Sequence, residues 1–244
     1  MKRMLMMSVC AMVAAAGATS ADPVTSDDLL KAQDNGKEWL TYGRDYRNWR
    51  YSPLTEITPE TASKLTPVWA MSTGGQLGGL EATPLFHDGV LYFSADYART
   101  FAVDAKSGNI LWHYDPEYGD GFNAMLCCGP IHRGVALAGD LVIVARLDAR
   151  LVALNRADGK IVWDVPIDDW KRGVTTNSAP LVVRDHVIIG VSAANMAFAA
   201  ISNRTTSRPA RWIGKPTPFP LLASRAAKPG PRTIAGRRAA ARPG

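Results

Sequence analysis

Acidic residues are missing from the last 52 positions of this 244-residue chain, which carry 10 Lys and Arg and 7 of the 16 prolines. The preceding part holds 18 Lys and Arg against 22 Asp and Glu, so the net charge of +6 comes wholly from the end of the chain. Histidine is scarce. His87, His113, His132 and His186 lack metal-ligand spacing, which argues against a histidine-built metal centre. Helical periodicity is weak throughout except over Thr58–Leu65, where Thr58 can cap a first turn opened by Pro59. Beyond the N-terminus no apolar run is long enough to span a bilayer, so stable membrane insertion is not expected. The composition, 47% hydrophobic and 20% charged, excludes a collagen-like, coiled-coil or wholly disordered chain.

The N-terminus reads as an export signal. Lys2 and Arg3 form a basic start, Met4 to Ala18 is uncharged and mostly apolar, and Thr19-Ser20-Ala21 offers small residues for cleavage after Ala21. Cys10 follows Val9 too early for a lipoprotein cysteine. The mature protein, from position 22, is expected in the periplasm. Only Cys127 and Cys128 of the three cysteines then remain, and they are adjacent. Neighbouring Cα atoms lie about 3.8 Å apart, below the usual disulfide range of about 4.4–6.8 Å. The residues alone leave two readings open: a strained vicinal disulfide of the kind found at functional sites, or two small buried hydrophobes.

What is present in quantity is a repeat. Phe101 to Trp112 matches Val152 to Trp163 at an offset of 51, with Gly108 opposite Gly159. Each copy reads as strand, tight turn, strand. Hairpin signals precede both: Asp88-Gly89 before Val90–Phe93, and Gly139-Asp140 before Leu141–Val144. Asp185-His186 before Val187–Ile189 begins a third. Four short strands per 40–50 residues is the pattern of a β-propeller blade. The fold class is therefore all-β, with two to three blades over positions 22–192.

The repeat should return at 214, where the sequence has Gly214. One lost guanine in codon 193 accounts for this. A synonymous encoding of Ala193 to Gly214, with the base restored, reads GGEYGIRGYLEPYDVKTGQMDW. Its Asp, Gly and Trp fall at positions 206, 210 and 214, in step with Asn155, Gly159 and Trp163. Positions 193–244 are thus read as an out-of-frame or disordered basic tail. Nucleic-acid binding through its Arg and Lys is the competing use, and export argues against it.

Several motifs together resemble the PQQ-dependent alcohol (methanol/ethanol) dehydrogenases, a quinoprotein family of eight-bladed propellers. They are Trp39-Leu-Thr-Tyr-Gly-Arg44, Arg50-Tyr-Ser-Pro-Leu54, Glu81-Ala-Thr-Pro84, Cys127-Cys128, Arg133-Gly134 and the blade motifs ending in Trp112 and Trp163. The resemblance implies oxidation of primary alcohols to aldehydes with PQQ and Ca²⁺, and a cytochrome c as electron acceptor. It implies that a disulfide between Cys127 and Cys128 covers one face of the quinone, that Arg133 pairs with a PQQ carboxylate, and that Glu81 bonds its polar edge. Thr175 and Asn177 occupy the stretch where the family places a threonine contact, and Ser192 borders the cofactor. The family's Ca²⁺-binding Glu falls at Asn195, so this chain carries no expected metal ligand. The catalytic Asp belongs to later blades, so no catalytic residue is expected here and the chain is expected to be a truncated, inactive product. A non-catalytic propeller scaffold of the outer-membrane assembly type shares the blade repeat, but needs neither the cysteine pair nor Glu81-Ala-Thr-Pro84.

Overall fold

The computed structural model describes residues 22–74, 79–126, 129–191, 198–202 and 211–212. Three four-stranded antiparallel sheets follow one another along the chain, each with its strands in sequence order. The first comprises β1 (Leu85–His87), β2 (Val90–Ser94), β3 (Thr100–Asp104) and β4 (Ile110–Tyr114). The second comprises β5 (Ala136–Ala138), β6 (Leu141–Arg146), β7 (Arg150–Asn155) and β8 (Ile161–Pro166). The third comprises β9 (Leu181–Val183), β10 (His186–Gly190), β11 (Phe198–Ser202) and β12 (Arg211–Trp212). These are propeller blades, as the repeat implies.

Two-residue hairpin turns join the first two strands of each blade. Asp88 and Gly89 both take positive φ, as a turn matching the strand twist requires. In the third blade the turn is Arg184-Asp185, one residue earlier than the sequence suggests, and His186 opens β10. Arg184 takes the positive φ there. The 51-residue offset also governs details invisible in the repeat itself. Register shifts fall between Ala102 and Val103 and between Ala153 and Leu154. Ala98 and Ala149 both adopt left-handed backbone. The strands β11 and β12 lie in the basic tail, to which the sequence assigns no fold. Main-chain pairing explains their place: β11 extends β10 residue for residue from His186↔Ser202 to Gly190↔Phe198, and such a ladder needs only an extended run.

One apolar cluster runs through all three blades, from Leu85 through Val142, Val144 and Leu154 to Val182 and Ile189. The outer strands β4 and β8 expose Ile110, Leu111, Ile161 and Val162, which marks the rim. Adjacent blades are keyed by tryptophan. The Trp112 indole of β4 lies over Gly159, where an added Cβ would come within 2.6 Å of the ring, and its N–H donates to the Arg156 carbonyl at 2.9 Å. Trp69 repeats this one step earlier, over Gly108 at 2.6 Å and onto the Ala105 carbonyl at 3.0 Å. The sequence repeat does not reveal Trp69, because no strand-turn-strand motif precedes it.

The N-terminal segment braces the inner edge. Thr25 caps the short helix α1 (Ser26–Leu30) in a capping box with Asp28, and Thr58 does the same for α2 (Pro59–Ala62). Val24 bridges to Gly139, and Trp39 to Phe86 of β1. Arg44 takes a positive φ of 75°, unusual for a side chain of its size. Its guanidinium is buried and donates to the carbonyls of Gln33 and Asn35, which holds the conformation. Among the described residues no helix is long and apolar enough to cross a membrane.

Candidate functional site

In a four-stranded meander, the start of the first strand and the turn between the second and third share one end. The segments leading into β1, β5 and β9 therefore meet at one face of the blades. Glu81, Arg133 and Asn177 sit on these three segments. Arg133 Nε lies 3.3 Å from Glu81 Oε2, and the Arg133 backbone N–H donates to the Asn177 carbonyl at 2.8 Å. Both charged side chains remain about two-fifths exposed. Among the described residues Glu81 is the one side-chain ion-pair partner of the Arg133 guanidinium, which remains partly exposed.

Gly134 is required at this meeting point. Its φ is 129°, and an added Cβ would stand 3.5 Å from Ala179 and 3.6 Å from the Thr83 carbonyl, one on each neighbouring segment. His132, to which the sequence assigns no role, fixes the other flank. It is fully buried. Its Nε2 lies 2.8 Å from the Ala145 carbonyl and so carries the proton. Nδ1 then accepts from the Ser94 hydroxyl at 2.6 Å and the Gly134 N–H at 3.3 Å. Burial pushes its pKa down to about 4, so the ring is neutral at physiological pH. His132 thus positions Arg133-Gly134 from beneath.

The stretch Thr175 to Asn177 divides its tasks. Thr176 is fully buried and its hydroxyl donates to the Arg146 carbonyl, which ties the segment to the second blade. Thr175 and Asn177 are half-buried. Asn177 joins the site through its main-chain carbonyl, a link that residue type does not betray. Cys127, Cys128, Ser192 and Asn195 lie outside the described residues. The chain flanking the cysteine pair is anchored. The Tyr97 N–H donates to the Pro130 carbonyl at 2.8 Å, the Tyr118 hydroxyl donates to the Tyr97 carbonyl at 2.7 Å, and Tyr118 stacks on buried Phe122 with centroids 4.4 Å apart.

Comparison with known proteins bears on what this arrangement serves. Residues 39–205 match the family model of the glucose/ethanol/alcohol dehydrogenase β-propeller domain, designated PQQ. The chain is 42% identical over 178 residues to the quinoprotein alcohol dehydrogenase PedH of Pseudomonas putida, a match covering 72% of this chain and 29% of that protein. It is 40% identical over 169 residues to the 1-butanol dehydrogenase (quinone) of Thauera butanivorans, covering 69% and 27%. Among solved structures, a europium-containing methanol dehydrogenase superposes with a TM-score of 0.68 at 31% identity, over 76% of this chain and 34% of that one. The chain thus spans less than a third of the length of these two curated relatives. With the blade architecture and the family match in agreement, the chain belongs to the PQQ-dependent glucose/ethanol/alcohol dehydrogenase family.

Proposed function

We propose that this chain is the cofactor-holding N-terminal portion of a periplasmic quinoprotein that oxidises primary alcohols to aldehydes with PQQ and Ca²⁺ and passes electrons to a cytochrome c. One observation carries the proposal: the partly exposed Arg133 guanidinium stands where three blade-leading segments meet. PQQ is a flat quinone bearing three carboxylates, so it needs cations, donors and a stacking surface. Arg133 suits one carboxylate as a bidentate partner. Glu81 stands beside it for the polar edge, with Thr175 and Asn177 on the third side. Bound there, PQQ supplies a two-electron acceptor for the hydride equivalent of the alcohol. Covering of one ring face by a Cys127–Cys128 disulfide, and a contact from Ser192, complete the proposed site.

Ca²⁺ enters through the family. Among the described residues no three His, Cys, Asp or Glu side chains gather as a metal site, and position 195 carries Asn195 in place of the expected Glu. No base for the alcohol proton is assigned in this chain. It is therefore expected to bind PQQ without turning over. Titration of the purified chain with PQQ, followed by tryptophan quenching, should give saturable binding that Arg133→Ala weakens about tenfold or more, the loss of a charge-assisted pair. Absence of binding by the unmodified chain refutes the site. Dye-linked alcohol oxidation with PQQ and Ca²⁺ should match the blank, and turnover above it refutes the expectation that this chain alone does not turn over. Resequencing around codon 193 tests the frame, with an intact reading frame there as the opposing result.

A further inference from the structure

We propose that a pocket lying between the N-terminal segment and blades two and three binds a short alkyl carboxylate. The pocket has a volume of about 390 Å³, within the span of small-molecule sites. Leu40 and Tyr46 of the N-terminal segment, Leu137 of the second blade, Pro180 before the third, and Arg133 are among the residues that line it. Its charge balance is one-sided. Asp45 is the other charged residue lining it, and Arg47 engages that carboxylate through its backbone N–H at 2.8 Å, Nε at 3.2 Å and a terminal nitrogen at 3.0 Å. Glu81 engages Arg133 through Nε and is not among the lining residues. The cation lining the pocket is therefore a partly exposed guanidinium, whose chemistry suits a planar two-oxygen anion. A mostly apolar chamber with one such cation in its lining fits a carboxylate head and an aliphatic tail. Its one acidic lining residue, Asp45, is already paired with Arg47 and is not free for an amine.

Arg133 is shared with the proposed PQQ site, so the titration is run without PQQ, and carboxylate binding can fail while PQQ binding holds. Isothermal titration of the purified chain with butanoate, hexanoate and octanoate should show affinity rising about fourfold per methylene, the increment for burying CH₂. Octanoate should bind about tenfold or more tightly than 1-octanol, which has the tail without the charge. Arg133→Gln should remove that advantage. Ala179→Phe, which places a ring at a half-buried lining position, should abolish the chain-length dependence while circular dichroism shows the sheets intact. Affinity that is flat along the series, equal for octanoate and 1-octanol, or unchanged in both folded variants overturns the proposal.

Discussion

Gly159→Ala offers a direct measure of how firmly neighbouring blades are keyed. Two costs are set by the structure. Gly159 has a φ of 71°, and Ala in that region costs about 1 kcal/mol. The new methyl would also lie 2.6 Å from the Trp112 ring, which must retreat. Overpacking of this kind costs about 1–3 kcal/mol, and losing the indole N–H bond to the Arg156 carbonyl at 2.9 Å adds about 1 kcal/mol. The sum is about 3–5 kcal/mol. Gly89→Ala supplies the control. Its φ is 78°, but nothing lies within 4 Å of the added Cβ, so only the backbone cost of about 1 kcal/mol applies. Urea unfolding followed by tryptophan fluorescence should place Gly159→Ala well below Gly89→Ala. Equal midpoints for the two variants would falsify the keyed-blade account, because they would mean that the ring is free to move aside.

Three further outcomes follow from the site. The depressed pKa of His132, about 4 in the fold against an ordinary value near 6.5, stabilises the folded state above pH ~6.5 and loses that contribution as pH falls toward 4. The loss is up to about 3 kcal/mol, and His132→Gln should flatten this part of a stability-against-pH curve; an unchanged slope refutes the role given to burial. Tyr46→Phe removes the hydroxyl that donates to the Val182 carbonyl at 2.6 Å. It should cost about 1 kcal/mol in urea unfolding, and a neutral result would show that this brace is not formed. Glu81→Gln breaks an ion pair that is about two-fifths exposed, so thermal unfolding should shift by less than about 1 kcal/mol in stability, whereas a large loss would mean that the pair is structural.

The blades were legible in the sequence because their signals are local. Turn glycines, alternating strands and a closing tryptophan all lie within a dozen residues. The left-handed Ala98 and Ala149 were not legible, since alanine carries no turn signature and the surrounding sheet imposes the conformation. Trp69 was missed for a related reason: its meaning depends on Gly108, which is 39 positions away. At the site, Arg133 and Glu81 could be named from motifs, but their juxtaposition is a product of blade stacking. His132 gave no signal because its partners, Ser94 and Ala145, come from two different blades. Asn177 was named for its side chain, while the structure employs its carbonyl, which every residue possesses.

The indole caps act as a ruler. Trp112 measures from one sheet to a glycine in the next, Trp69 does so from the segment before the first sheet, and the two glycines already met, Gly108 and Gly159, set the graduation at 51 residues. Moving one graduation beyond Gly159 arrives at position 210, where the sequence has Ala210. A third contact of this kind calls for glycine at 210, which is what the proposed loss of a base in codon 193 would account for. The spacing between an aromatic ring and a bare α-carbon thus gives the resequencing of codon 193 a specific base to look for.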